Sequence, residues 1–107
     1  MEFSYGQGEY CEGEKRFAGT VILSEHKLFL KSANGDIPAT YIPLEKIERL
    51  RRSKQGLEVY VRPSLYFRYA AFFKGEPKHI AELTIDLVKR RGLKKHFLKK
   101  EWSEGGH

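Results

Sequence analysis

The stretch GTVILSEHKLFLKS, Gly19 to Ser32, constrains the fold of this chain more than any other. Two apolar runs, Val21–Leu23 and Leu28–Leu30, flank four polar residues. Both runs consist of residues that favour strands, and a short polar link between such runs is typical of a β-hairpin. Gly19, inside the first strand, indicates a bend or bulge.

The remaining sequence supplies several further short strands separated by turns. The segment 1–13, which contains several glycines, is compatible with a strand. Leu57, Val59 and Val61 alternate with polar residues, which predicts another strand. The aromatic run 65–73 predicts the last long strand, with aromatic side chains on both faces. Other expected features are a short strand at 40–42, a single helical turn holding Leu44 and Ile47, an extended run at 48–52, and turns at 34–36 and 54–56. We therefore expect six or seven antiparallel strands.

An amphipathic helix is predicted after this run. Pro77 suits the first turn of a helix, and Gly92 is a natural stop after Arg91. Apolar residues recur at helical spacing between these limits: Ile80, Leu83, Leu87 and Val88. Such a helix would cover the apolar face of the strands. A small, curled antiparallel barrel closed by a C-terminal helix is the predicted architecture, in a mainly β protein.

The segment 89–100 accounts for the whole net positive charge of the chain. It holds seven of the 20 Lys and Arg residues and no acidic residue, so the remaining chain, with 13 basic and 14 acidic residues, is nearly neutral. Leu93 and Phe97, like Leu98 and Trp102, are four residues apart, which predicts a short basic second helix. We expect a domain over 1–92, followed by an extension over 93–107 that forms this helix and a disordered end.

The order and spacing of three segments resemble GRAM and bacterial pleckstrin-homology-like domains. These segments are GTVILSEHKLFLKS, IPLEKIERL and GLEVYV with the aromatic run that follows. The resemblance extends over about residues 16–87 and implies a split barrel of two nearly orthogonal sheets, with one end closed by the helix. It also implies binding rather than catalysis: members of this family bind proteins or phosphoinositide headgroups. The loop Ser24–Lys27 carries a carboxylate where headgroup binders tend to carry several basic residues.

Residue patterns for catalysis or for a cofactor are missing from this sequence. No Ser-His-Asp, paired-carboxylate or phosphate-loop arrangement occurs, and the four histidines are scattered, so we predict no enzyme activity, no cofactor and no metal site. The single cysteine, Cys11, is expected to be a half-buried thiol. It also excludes an internal disulfide, which favours a reducing compartment. With neither a signal-peptide pattern nor an apolar run of about 18 residues, we predict a cytoplasmic location.

Three hypotheses compete for the function of the basic segment and the exposed aromatics. The first is a binding or scaffolding module that makes protein contacts, including self-association. The second is recruitment to an anionic membrane by the basic segment, and the third is nonspecific binding to nucleic acid. A solvated helix docked on the barrel is the alternative without a ligand. The candidate binding residues are Lys89, Arg90, Arg91, Lys94, Lys95, Lys99, Lys100, Trp102, Phe29 and Tyr66.

Two further groups of residues bear on these hypotheses. Arg49, Arg51, Arg52 and Lys54 form a second basic cluster, which alternation divides between two strand faces, so a solvated edge is the expected role. Outward-facing aromatics would mark a protein interface if they form an exposed cluster. These are Phe29, Tyr60, Tyr66 and Phe72.

Overall fold

The computed structural model describes residues 2–32 and 40–104, with the backbone alone at Thr40. These residues form nine strands and one α-helix. In chain order the elements are β1 Phe3–Glu12, β2 Lys15–Leu23, β3 Lys27–Lys31, β4 Thr40–Pro43, β5 Ile47–Arg52, β6 Gly56–Val61, β7 Tyr69–Gly75, α1 Pro77–Arg91, β8 Lys94–Lys95 and β9 Glu101–Ser103. A 3-10 turn at Leu44–Lys46 links β4 to β5.

All nine strands belong to one antiparallel sheet with the order β4-β3-β2-β1-β7-β6-β5-β9-β8. Two meanders, β1 to β4 and β5 to β7, meet where β1 pairs with β7, with Tyr10 opposite Phe73. The hairpin of β8 and β9 extends the second meander beyond β5. The sheet is open, with β4 and β8 at its edges.

The inner face of the sheet and one face of α1 share a single apolar core. Side chains from β1 to β7 join one buried cluster with Ile80, Leu83 and Leu87 of the helix and with Leu93. Strands near opposite ends of the sheet order can contribute to one core because the sheet curls around the helix. The Cα radius of gyration, 13.0 Å, is that of a compact domain of about 100 residues.

Several predicted elements are confirmed. The mainly β class is correct, and β2 and β3 form the expected hairpin, with Val21 opposite Leu30. The helix begins at Pro77 and ends at Arg91, and Gly92 closes it with φ +63°. The expected helical turn and the hairpin between β5 and β6 are also present. No helix in the part of the chain described is long and apolar enough to cross a membrane.

Three expectations need correction. The predicted strand over 65–73 begins only at Tyr69, and the residues before it belong to the loop between β6 and β7. The second helix predicted within 93–107 is wrong: residues 94–103 form the β8–β9 hairpin. That hairpin raises the strand number to nine instead of six or seven. The turn predicted at 34–36 and the end of the chain at 105–107 lie outside the described residues.

Candidate functional site

The β8–β9 hairpin is fixed to the sheet by main-chain and side-chain contacts with β5. Leu50 lies opposite Trp102 in the register of β5 and β9, and the Arg52 N–H donates to the Lys100 carbonyl oxygen at 2.9 Å. Glu101 is buried, with its Oε1 3.1 Å from Arg49 Nη2 and 3.5 Å from Arg51 Nε. The hairpin is therefore a defined part of the domain surface.

The tip of this hairpin presents two apolar side chains to solvent. Phe97 and Leu98 are each 87% exposed. The tip is closed by the His96 N–H, which donates to the Glu101 carbonyl oxygen at 2.9 Å, and by a weaker bond from the Lys99 N–H to the His96 oxygen at 3.3 Å. Leu98 has φ +60°, a left-handed conformation that is unfavourable for leucine. Local backbone preference therefore does not explain a leucine at this position.

Cations surround the exposed tip. Lys94 and Lys95 precede it, Lys99 and Lys100 follow it, and all four are exposed. None of these four lysines forms an ion pair with another described residue. The pairing of β5 with β9 brings Arg52 beside Lys100, so the two basic clusters of the sequence meet at one end of the sheet. We call Phe97, Leu98 and these four lysines the hairpin tip.

The remaining predicted cations lie elsewhere. Lys89, Arg90 and Arg91 occupy the last turn of α1, a helix about 22 Å long whose first turn lies near the hairpin tip. Arg90 Nη1 donates to the Ser24 carbonyl oxygen at 2.5 Å. Arg91 Nε donates to the Ile47 oxygen at 3.0 Å, and the same guanidinium pairs with Glu104. These two arginines join α1 to the sheet, so they are less free to meet a ligand than the four lysines of the hairpin tip.

The three aromatic candidates are also separated. Trp102 is half-buried and packs against the core, which removes it from the exposed set. Phe29 is half-buried on β3 between Ile22 and Tyr41, whereas Tyr66 is 97% exposed in the loop before β7. Strands β2 and β1 separate Phe29 from β7. In the part of the chain described, the ring contacts join other aromatic pairs, and the predicted outer cluster does not form.

A second exposed apolar segment lies at the opposite end of β6. Leu65, Tyr66 and Phe67 are 74%, 97% and 55% exposed, respectively, in the loop that links β6 to β7. The hairpin tip adjoins the other end of β6, so about 20 Å of strand separates the two segments. Among the described residues these two segments form distinct apolar projections, and of the two it is the hairpin tip that lysines surround.

Cys11 is half-buried on β1, as expected. Burial raises the pKa of its thiol, and the neighbouring Glu9 carboxylate, 3.5 Å from Sγ, raises that pKa further. Both effects disfavour the thiolate that nucleophilic catalysis requires. Within residues 2–32 and 40–104, no group of three or more His, Cys, Asp or Glu side chains is placed to hold a metal ion.

Sequence reasoning missed both the geometry of the hairpin tip and its contact with the second basic cluster, at 49–54. The four-residue spacing of their apolar pairs predicts a helix for Phe97 and Leu98, whereas the structure places both in a turn. A weaker signal was present: Leu93 and Trp102 contact the core, whereas Phe97 and Leu98 lie midway between them in the sequence. Comparison with protein-family models gave no match, and comparison with curated proteins gave none either.

Glu101→Gln is expected to loosen the hairpin. The substitution keeps the side-chain size but removes the charge that faces Arg49 and Arg51 from a carboxylate only 12% exposed. We expect a loss of about 1–2 kcal/mol in the free energy of unfolding, measured by urea denaturation, because two ion pairs to a little-exposed carboxylate are lost, a case between an exposed pair and a fully buried one. Faster amide hydrogen exchange at Trp102 should accompany this loss.

Glu48→Gln is the matched control. Glu48 pairs with Arg68 at 3.6 Å, and both side chains are more exposed than that of Glu101. Exposed pairs contribute about 0–1 kcal/mol, so this variant should stay near the stability of the unchanged chain. Equal stability of the two variants would show that Glu101 does not fix the hairpin.

Proposed function

We propose that this chain is a noncatalytic, peripheral membrane-binding module that attaches to anionic lipid through the hairpin tip. One observation carries the proposal: two adjacent apolar side chains, Phe97 and Leu98, are each 87% exposed on a projecting turn. Lysines flank that turn on both sides. This combination suits the interface of a membrane, where apolar side chains enter the acyl boundary and cations remain among the headgroups.

The expected energies support reversible attachment. Burying a Phe or Leu side chain contributes roughly 1.5–3 kcal/mol. Each Lys near an anionic leaflet adds about 1 kcal/mol, so the four lysines of the hairpin tip add a few kcal/mol more. The sum is about 7–10 kcal/mol before the lost translational and rotational freedom is subtracted, which leaves reversible recruitment that responds to salt and lipid composition. The predicted cytoplasmic location would expose the module to the leaflet rich in anionic lipid.

A pleckstrin-homology-like fold is part of the same proposal. The strand order supports it: two antiparallel meanders, β1 to β4 and β5 to β7, precede a C-terminal helix that packs in the curled sheet. The resemblance of three sequence segments to GRAM and related domains gives independent support. The β8–β9 hairpin lies after the region of resemblance, so the proposed membrane contact rests on this chain's own residues.

Vesicle sedimentation tests the proposed function. The full chain should sediment with vesicles that contain phosphatidylserine and remain in solution with neutral phosphatidylcholine vesicles. Raising the salt concentration from 0.05 to about 0.5 M should release most of the bound protein, since surface charges are then screened beyond a few Å. Absence of sedimentation with anionic vesicles at low salt would refute the proposal. Truncation after Arg91 is a poor test, because it removes Leu93 from the core and β9 from the sheet.

Protein contact is the second candidate function, and the exposed segment Leu65–Phe67 favours it. Three neighbouring large side chains, all more than half exposed, form the kind of surface that associates. If the contact is self-association, the weight-average mass in sedimentation equilibrium should rise with concentration, and Tyr66→Ser should reduce that rise. A mass equal to one chain at every concentration would rule out self-association through this loop.

A further inference from the structure

A cavity of about 530 Å³ lies beside the hairpin tip, within the size range of small-ligand sites. It is bounded by the turn between β5 and β6, the junction of β7 with α1, and the hairpin. Three cationic residues contribute to its lining, Arg52, Lys54 and Lys100. The apolar part of the lining includes Pro77 and Ile80.

The fold fixes the main chain at or beside each of the three cationic residues. The main chains of Arg52 and Lys100 are joined by an N–H to carbonyl bond of 2.9 Å. Lys54 lies in a tight turn that the Ser53 N–H closes on the Gly56 oxygen, also at 2.9 Å. The described residues that line the cavity include no carboxylate, and none of the three cations has an ion-pair partner in residues 2–32 and 40–104. The cavity therefore concentrates positive charge that the described residues do not neutralise.

The surroundings of the cavity add to this charge. Pro77 is the first residue of α1, so the positive end of the helix dipole adjoins the cavity. The nearby Glu76 carboxylate lies 3.7 Å from His79 Nδ1 and does not line the cavity. Glu101, on the other side of Lys100, is already engaged by Arg49 and Arg51. The helix dipole adds to the positive charge of the site, but the main evidence for the site is the three cationic residues that line one cavity.

We propose that this cavity binds a terminal phosphate group. Such a group carries a charge between −1 and −2 at neutral pH and has three acceptor oxygens. The fork of Arg52 and the ammonium groups of Lys54 and Lys100 supply matching donors. A phosphomonoester lipid headgroup and a soluble phosphate compound share this chemistry. The lipid form deepens the proposed membrane function and rests on it, whereas the soluble form does not.

Titration with inorganic pyrophosphate, without membranes, tests the site itself. Amide resonances of Ser53–Gly56, Lys78 and Lys100 of the full chain should shift in a saturable manner at constant ionic strength. Arg52→Ala and Lys54→Ala should each weaken the affinity about tenfold, as expected for losing a charge-assisted contact. Lys95→Ala is the matched control, because this lysine is exposed on β8 and does not line the cavity. Absence of localised shifts, or equal affinity of all three variants, would overturn the proposal.

Vesicles at equal surface charge identify the source of the phosphate. Phosphatidic acid presents a phosphomonoester and phosphatidylserine a phosphodiester. Preferential sedimentation with phosphatidic acid, lost in Lys54→Ala, would assign the site to a lipid headgroup. Pyrophosphate binding without such a preference would assign it to a soluble ligand. If the chain ignores all vesicles but binds pyrophosphate, the membrane proposal fails and the phosphate site stands.

Discussion

Phe97→Ser combined with Leu98→Gly is expected to reduce the partitioning of the chain onto anionic vesicles by roughly a hundredfold. Each lost side chain removes about 1.5 kcal/mol or more of interfacial burial, and together they remove most of the apolar contribution of the hairpin tip. Both side chains are exposed, so their removal opens no core cavity. Vesicle sedimentation at low salt measures the effect.

The same variant should remain folded. Leu98 has φ +60°, a conformation that glycine adopts without steric cost, so the change to glycine should preserve or slightly raise stability. Leu65→Ser with Phe67→Ser is the matched control, because it removes two exposed apolar side chains at the other end of β6. The control should bind vesicles normally. Equal losses in both variants, or none in either, would contradict insertion of the hairpin tip.

Local sequence patterns correctly predicted those elements whose structure is determined by residues close together in the chain. The apolar runs at 21–23 and 28–30 lie in one hairpin, and helical spacing with Pro77 and Gly92 gave the limits of α1. The aromatic run at 65–73 misled because its residues suit a strand throughout, yet Leu65 and Tyr66 face solvent in a loop. Residue preference for strands does not specify where pairing with a neighbouring strand begins.

The candidate sites depend on a contact between distant parts of the chain. Leu93 and Phe97, four residues apart, suggested a helix, but Leu93 enters the core while Phe97 remains exposed. Pairing of β9 with β5 decides this outcome, and it is also what places Lys100 beside Arg52. The sequence around each basic cluster gives no indication that the two clusters meet in the fold. The cations were therefore predictable as separate groups, but the cavity between them was not.

The hairpin tip and the phosphate-binding cavity are neighbours, which makes a combined membrane contact geometrically reasonable. Lys100 belongs to both: it follows the apolar turn and also lines the cavity. Insertion of Phe97 and Leu98 would hold the cavity near the headgroup layer. Two weak contacts on one surface reinforce each other, since the second forms at a high effective concentration. Selectivity would come from the cavity and most of the attraction from the hairpin tip.

Gly19→Ala is expected to destabilise the fold by about 1–3 kcal/mol, the typical range of overpacked core substitutions. Gly19 is buried in β2, and a Cβ atom built there would lie 2.2 Å from the Lys31 carbonyl oxygen and 2.9 Å from its carbon. These neighbours are main-chain atoms at the end of β3, so a rotamer change cannot relieve the clash. The hairpin of β2 and β3 must shift, and it contributes Val21, Leu28 and Leu30 to the core.

Gly75→Ala provides the matched comparison in the same sheet. Its added Cβ would meet Ile80 Cδ1 at 3.4 Å, an ordinary contact. Where the backbone accepts alanine, this exchange commonly stabilises a protein by about 0.4–1 kcal/mol through the unfolded state. Urea denaturation of both variants should therefore give changes of opposite sign, or at least a difference of about 2 kcal/mol. Similar stabilities would mean that β2 and β3 are not held as closely at Gly19 as the sheet register requires.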